Sequence, residues 1–215
     1  MQHTTAVLTG DLISSTSADP GRVERSMAAL SEQAALIGAE LHHNLRFTRF
    51  RGDGWQVHLS DPADFLWVTT LLHAVLRSGP QRYLPSRIAI GLGSTEKLGQ
   101  TGLSEASGTA FVNSGRALDA LSFGQTTALS GDGTDDIQRS VVAFLDAQVI
   151  GWSQERAEVL ALRLRPNWDP TQEDIAASLG ISRQAVSSRL RAANWGLIYK
   201  ACTAFKSHDW EPAHV

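Results

Sequence analysis

The sequence predicts an α+β protein: a ferredoxin-like βαββαβ sheet domain followed by an all-α helix-turn-helix domain. Three observations carry that expectation. Over the first 130 residues the elements read strand, helix, strand, strand, helix, strand, the split βαβ order, with a further helix and strand added. The stretch "TQEDIAASLGISRQAVSSRLRAA", Thr171 to Ala193, reads as two capped helices joined at a glycine. Hydrophobic residues make up 42% of the 215, enough for a packed core and too many for a disordered chain.

The elements follow in order. "TTAVLTGDLI" alternates as a strand and carries Asp11 near its end. Asp19-Pro20 is an N-cap with proline in the first turn. Val23, Met27, Leu30, Ala34, Ile37 and Leu41 then repeat at steps of 4, 3, 4, 3 and 4, one apolar stripe of a helix. "NLRFTRF" and "GWQVHLS" flank Arg51-Gly52-Asp53-Gly54 as a hairpin. Asp61-Pro62 opens a second helix, rich in Leu and Val and containing Trp67. "SRIAIGLGS" is a strand, "SGTAFVNSGRALDALS" a helix and "GQTTALSG" a short strand. Gly131 to Asp136 is a turn-rich acidic break before a helix from Ile137 to Ile150. The expected division is a sheet domain over 1–130, a connector helix over 131–150 and a helical domain over 151–215.

Net charge is −3, no general attraction for nucleic acid. The charge is uneven. From Gly151 onward there are 8 Lys/Arg against 7 Asp/Glu, whereas the first 150 residues hold 11 against 15. The C-terminal part is the less repulsive to phosphate. The single cysteine, Cys202, excludes an internal disulfide and a cysteine zinc site. The seven histidines show no metal spacing. The N-terminus lacks a signal-peptide pattern. No apolar run approaches the ~18 residues of a membrane span. The expectation is a cytoplasmic protein with no membrane partner.

Within the C-terminal stretch, Thr171 caps a helix that runs to Leu179, with Asp174 completing a capping box. Gly180 makes the turn and Ser182 caps the next helix. Ile175, Ala176, Leu179, Ile181, Val186 and Leu190 pack the pair together, and a helix over Ser153 to Arg165 completes a three-helix core. In such a unit the second helix enters the DNA major groove. Its outward face carries Ser182, Arg183, Gln184, Ser187, Ser188, Arg189 and Arg191, with Thr171 and Gln172 at the start of the first helix. Arg and Gln read guanine and adenine, and serines reach phosphates. No acid occurs from Ile181 to Trp195. Double-stranded DNA is the expected partner; two helices packed as a protein-interaction module is the plainer alternative. "NWGLIYKACTAF" reads as a fourth helix or the start of a wing, with Trp195, Tyr199 and Phe205 expected in the core.

Asp53 has a possible companion in Asp11. In the split βαβ order the first strand and the hairpin lie side by side, which would bring two strand-end carboxylates together. Hard oxygen ligands suit Mg²⁺ or Mn²⁺, and Ser14, Ser15 and Thr16 would offer backbone N–H groups to phosphate. On spacing alone the ordinary Gly-Asp-Gly turn is the favoured reading.

Four stretches of the first 130 residues resemble class III nucleotidyl cyclases, a fold related to GGDEF domains. "TGDLISST" is similar to the first-strand motif Asp-Ile-x-Gly-Ser-Thr, and "RFRGDGWQV" to the Lys-x-x-Gly-Asp-Gly hairpin. "SRIAIGLGS" is similar to Arg-Ile-Gly-Ile-His-x-Gly, and "EASGTAFVNSGRAL" to the Asp-x-x-Gly-x-x-Val-Asn-x-Ala-x-Arg helix. A cyclase-like part before a helix-turn-helix also resembles the SatD family of bacterial proteins. The resemblance implies that Asp11 and Asp53 hold the metal with the backbone carbonyl of Leu12. It implies that Arg49 and Glu105 read the base of a purine nucleoside triphosphate or related nucleotide. It puts Arg116 on the transition-state charge, with Asn113 as the displaced counterpart of the family's asparagine. It implies a homodimer, with Asp11 and Asp53 facing Arg116 of the partner subunit.

The chain departs from that pattern at Val112, where the family has asparagine; Asn113 comes one place later, ~100° round a helix. Arg also stands for Lys at position 49. The favoured expectation is a DNA-binding transcriptional regulator whose cyclase-like domain binds a nucleotide with a divalent metal and mediates dimerisation. The alternatives are an active metal-dependent cyclase, with the helix-turn-helix as its regulatory module, and a scaffold that only dimerises a DNA reader.

Overall fold

The computed structural model describes residues 3–41, 45–50, 52–100, 102–131, 133–166 and 168–210. Arg51 of the hairpin turn and the histidines at 42, 43 and 214 lie outside them. The architecture is mixed α+β: a five-stranded sheet and eight α-helices among the described residues.

The central strand β1 (Thr5–Leu12) is flanked by β3 (Gly54–Leu59) and β4 (Ser86–Gly93), both antiparallel to it. The hairpin partner β2 (Arg46–Phe50) forms one edge, and β5 (Thr127–Gly131), parallel to β4, forms the other, giving the order β2-β3-β1-β4-β5. The expected adjacency of the first strand and the hairpin is present: Asp11 pairs with Gly54.

Alternation along the strands sorts side chains onto two faces. One face is the core: Ala6, Leu8 and Leu12 of β1, Trp55, Val57 and Leu59 of β3, and Ile88, Ile90 and Leu92 of β4 are all buried. Gly10 lies under Trp55; a Cβ there would overlap the indole. Helices α1 (Pro20–Leu41) and α2 (Phe65–Arg77) contribute to this core. Asp19 caps α1 by accepting from Arg22 N at 3.1 Å. Asp61 caps a short 3-10 turn, Pro62–Asp64, that leads into α2. The opposite face is mixed, with Thr5, Thr9, Asp11, Gln56, His58 and Arg87 beside the buried Val7 and Ala89. α3 (Thr109–Asp119) lies on it so closely that a Cβ on Gly91 would overlap the Ala110 carbonyl.

α4 (Asp136–Ile150), expected as a connector, packs against β5, where buried Asp146 accepts from Thr126 N at 3.1 Å. The remaining helices are α5 (Gln154–Arg163), α6 (Gln172–Leu179), α7 (Arg183–Ala192) and α8 (Trp195–Lys206). The "NWGLIYKACTAF" segment is therefore a helix. α2 is buried on nearly every side because it lies between the sheet and α5. An all-round apolar helix needs such a position. The apolar side chains of α5–α8 join those of the sheet part in one continuous cluster. No helix among the described residues is long and apolar enough to cross a membrane.

Candidate functional site

Asp11 and Asp53 line one cleft of about 590 Å³ together with Ser14, Ser15, Thr16, Arg87 and the loop from Leu121 to Thr126. β1 ends at Leu12, whose N–H donates to Asp53 O at 3.2 Å, tying the strand end to the hairpin turn. Ser14 then takes a left-handed conformation, φ 60°, which turns the chain back over the turn. Ser15 Oγ donates to Asp53 Oδ2. Phe123 stands fully exposed on the rim.

The main addition to the expected set is Arg87. It pairs across the sheet with Asp11 and forks onto it: Nε donates to Oδ1 at 2.8 Å and Nη2 to Oδ2. That fork holds the guanidinium above its ordinary range, partial burial opposes it, and Asp119 and Asp53 add to the rise. The sequence signal was present: "SRIAIGLGS" puts one charge on an interior strand, where only a polar partner would retain it.

Other expected residues lie elsewhere in the chain. Arg49 pairs with Trp55 and so points to the core face. Its guanidinium grips Glu24 of α1 in two bonds of 2.7 and 2.8 Å. Glu105 is exposed and pairs with Lys97 at 3.4 Å. Asn113 donates to Leu92 O at 2.8 Å, holding α3 on the sheet. Arg116 is exposed on α3, outside the cleft lining. Among the described residues no group of three or more His, Cys, Asp or Glu gathers closely enough to hold a metal.

The second candidate surface is built by α6 and α7. Thr171 and Asp174 form the expected capping box, with Asp174 N to Thr171 Oγ1 at 3.2 Å and Thr171 N to Asp174 Oδ2 at 2.9 Å. Gly180 takes φ 64°, and Ser182 caps α7 by accepting from Ala185 N at 3.2 Å. Val186 and Leu190 are buried, while Ile181 is only half-buried. A shallow depression gathers Gln172, Arg183, Gln184, Ser187 and Arg191. Ser188 is exposed beside them. Arg183 bonds Glu173 at 2.7 Å. Arg189 turns inward to Glu158 of α5 at 3.3 Å, away from the outward face. Tyr199, expected in the core, is 48% exposed.

No family model matches the chain, and no curated protein matches it. Among solved structures, that of the guanylyl cyclase Cya2 is similar at 16% identity and a TM-score of 0.40, over 60% of this chain and 75% of that one.

Proposed function

We propose that the chain is a DNA-binding regulator: α5–α8 form a helix-turn-helix unit that reads double-stranded DNA as a homodimer, and the sheet part binds a nucleotide with a divalent cation. The units proposed are 1–130 and 151–215, joined by 131–150. The observation that carries the reading is the two-sidedness of α7. Val186 and Leu190 are buried, whereas Gln184, Ser187 and Arg191 line an open depression with Gln172. Those groups have the donor and acceptor forms that base edges and phosphates accept. The exposed Arg183–Glu173 pair is weak enough to be exchanged for a phosphate.

The donor chemistry of the cleft fits a hard divalent cation. Asp11, Asp53 and the Leu12 carbonyl would hold it, leaving other positions to water and phosphate oxygens. Such a cation would supply positive charge to a polyphosphate. Arg87 meets three carboxylates, Asp11, Asp53 and Asp119, in its electrostatic surroundings. A phosphate alone would be repelled there. A cation that took Asp11 would release Arg87 to donate to phosphate oxygens instead. Ser15, already on Asp53, orients that carboxylate.

The test is selection of binding sequences from random duplex DNA, followed by binding to the selected site with ATP or GTP and Mn²⁺. A two-fold site whose affinity changes with nucleotide supports the reading. Absence of any selected sequence refutes its DNA half. A second reading, an active cyclase, draws on the same Asp11–Asp53 cleft. Chromatography after incubation with ATP or GTP and Mn²⁺ decides it: unconsumed triphosphate removes it.

A further inference from the structure

A second cleft, also about 590 Å³, lies where α8 meets α2 and the segment after α5. It shares no lining residue with the Asp11 cleft. Its volume is that of a small-molecule site. One face of α8 contributes Trp195, Tyr199 and Lys206, spaced so that they align along the helix. α2 contributes Trp67, and α5 contributes Arg163.

The aromatic walls are ordered but not closed. Trp67 Nε1 donates to Leu164 O at 2.7 Å, which fixes the indole. Trp195 meets Trp67 edge to face at 6.2 Å between centroids and Tyr199 at 5.5 Å. Trp67 and Trp195 are half-buried against the core and Tyr199 is exposed, with Arg163 lying over one face of the Trp195 ring. The cations are placed at the walls. Arg163 sits 5.5 Å from the Trp195 ring centre, and its Nη1 holds Asp169, an exposed carboxylate, at 2.5 Å. Lys206 Nζ donates to Asp64 Oδ1 at 2.8 Å and remains more than half exposed. The exposed Asp169 is a weak competitor for this guanidinium, whose Nη1 is also fixed by the Pro170 carbonyl at 2.8 Å.

We infer that this cleft binds a small planar aromatic anion, its ring against Trp195 and Tyr199 and its carboxylate or phosphate on Arg163. Ring contact supplies area and a stacking preference, and the guanidinium selects the charge. The inference does not depend on nucleotide binding at Asp11 or on DNA binding.

The experiment is calorimetric titration of the full chain with salicylate and with adenosine 5′-monophosphate, which separate a carboxylate source from a phosphate source. Benzyl alcohol and benzylamine are the charge controls. At least one anion should bind with a Kd below about 1 mM, and Arg163→Gln and Tyr199→Ala should each weaken it roughly tenfold. Asp53→Ala should leave it unchanged, which keeps this site apart from the first. Tyr199 is exposed, so its variant reports on binding rather than folding. The inference is overturned if neither anion binds below that limit, if benzylamine binds as well as the anions, or if both variants bind like the parent.

Discussion

Asp11 and Arg87 face each other across the β1–β4 pair, and the guanidinium occupies both oxygens of the carboxylate. In the proposed function, a cation and Arg87 compete for one carboxylate. Arg87→Gln should therefore bind Mn²⁺ more tightly, by up to about fivefold, since a partly exposed pair contributes at most about 1 kcal/mol. The same variant should bind nucleoside triphosphate less well. Electron paramagnetic titration of Mn²⁺ measures the first effect; unchanged or weaker Mn²⁺ binding would argue against competition.

Asp53→Ala should remove any metal-dependent thermal shift. At a ligand concentration 100 times Kd the parent should gain about 2.7 kcal/mol, several degrees in melting temperature. A parent that never shifts with any triphosphate and Mg²⁺ or Mn²⁺ would leave Asp53 as a turn residue.

On α7 the arginines should separate by orientation. Arg191→Ala and Gln184→Ala should each cost about 1–3 kcal/mol of specific DNA binding. Arg189→Ala should act mainly on stability, because Arg189 is spent on Glu158. Fluorescence anisotropy on the selected site, beside urea melts, distinguishes the two effects. A large DNA defect in a stable Arg189→Ala protein would contradict this division.

Stability should fall on the acid side. His73 is fully buried against Thr127, and burial, helped by Arg77, lowers its pKa from 6.5 to about 3. Burial likewise lowers that of His58 to about 4, with Arg46 adding. Both remain neutral in the fold while the unfolded chain takes up protons below pH 6.5. The contribution is thus complete above that value and declines as pH falls, to about pH 4 for His58 and about pH 3 for His73. Each histidine removes up to about 1.4 kcal/mol per pH unit. His73→Gln should flatten the profile of melting temperature against pH; an identical slope would exclude His73 as a source.

Gly91→Ala should be among the most damaging small changes, because the new methyl would meet the backbone of α3 rather than a movable side chain. Overpacking of this kind costs about 1–3 kcal/mol or more. Gly180→Ala, in open space but at φ 64°, should lose only about 1 kcal/mol. Chemical denaturation of the two variants tests the ranking.

Local chemistry explains what could be read before folding. The cap at Asp19, the Thr171–Asp174 box, the Gly180 turn and the Ser182 cap depend on residues within a few positions of one another. So does the strand alternation of "TTAVLTGDLI"; the neighbourhood of Asp11 and the hairpin came instead from the order of the elements. The orientation of Arg49 was also readable: it shares a face with Phe47, and Phe47 packs on the core. Arg189 was harder, since a helix face is polar in sequence whether its partner is DNA or Glu158.

The sequence by itself determined the mixed α+β class, the order of elements and the adjacency of the Asp11 and Asp53 strand ends. Periodicity and capping are local, and strand order constrains pairing. Only the tertiary structure decided that Arg87 would hold Asp11, that α2 would be shared by the sheet and α5, and that Trp67, Arg163 and Trp195 would wall a second cleft. Those contacts join residues 76, 97 and 128 positions apart or in separate layers. No local pattern encodes them; packing of the two apolar surfaces onto α2 does.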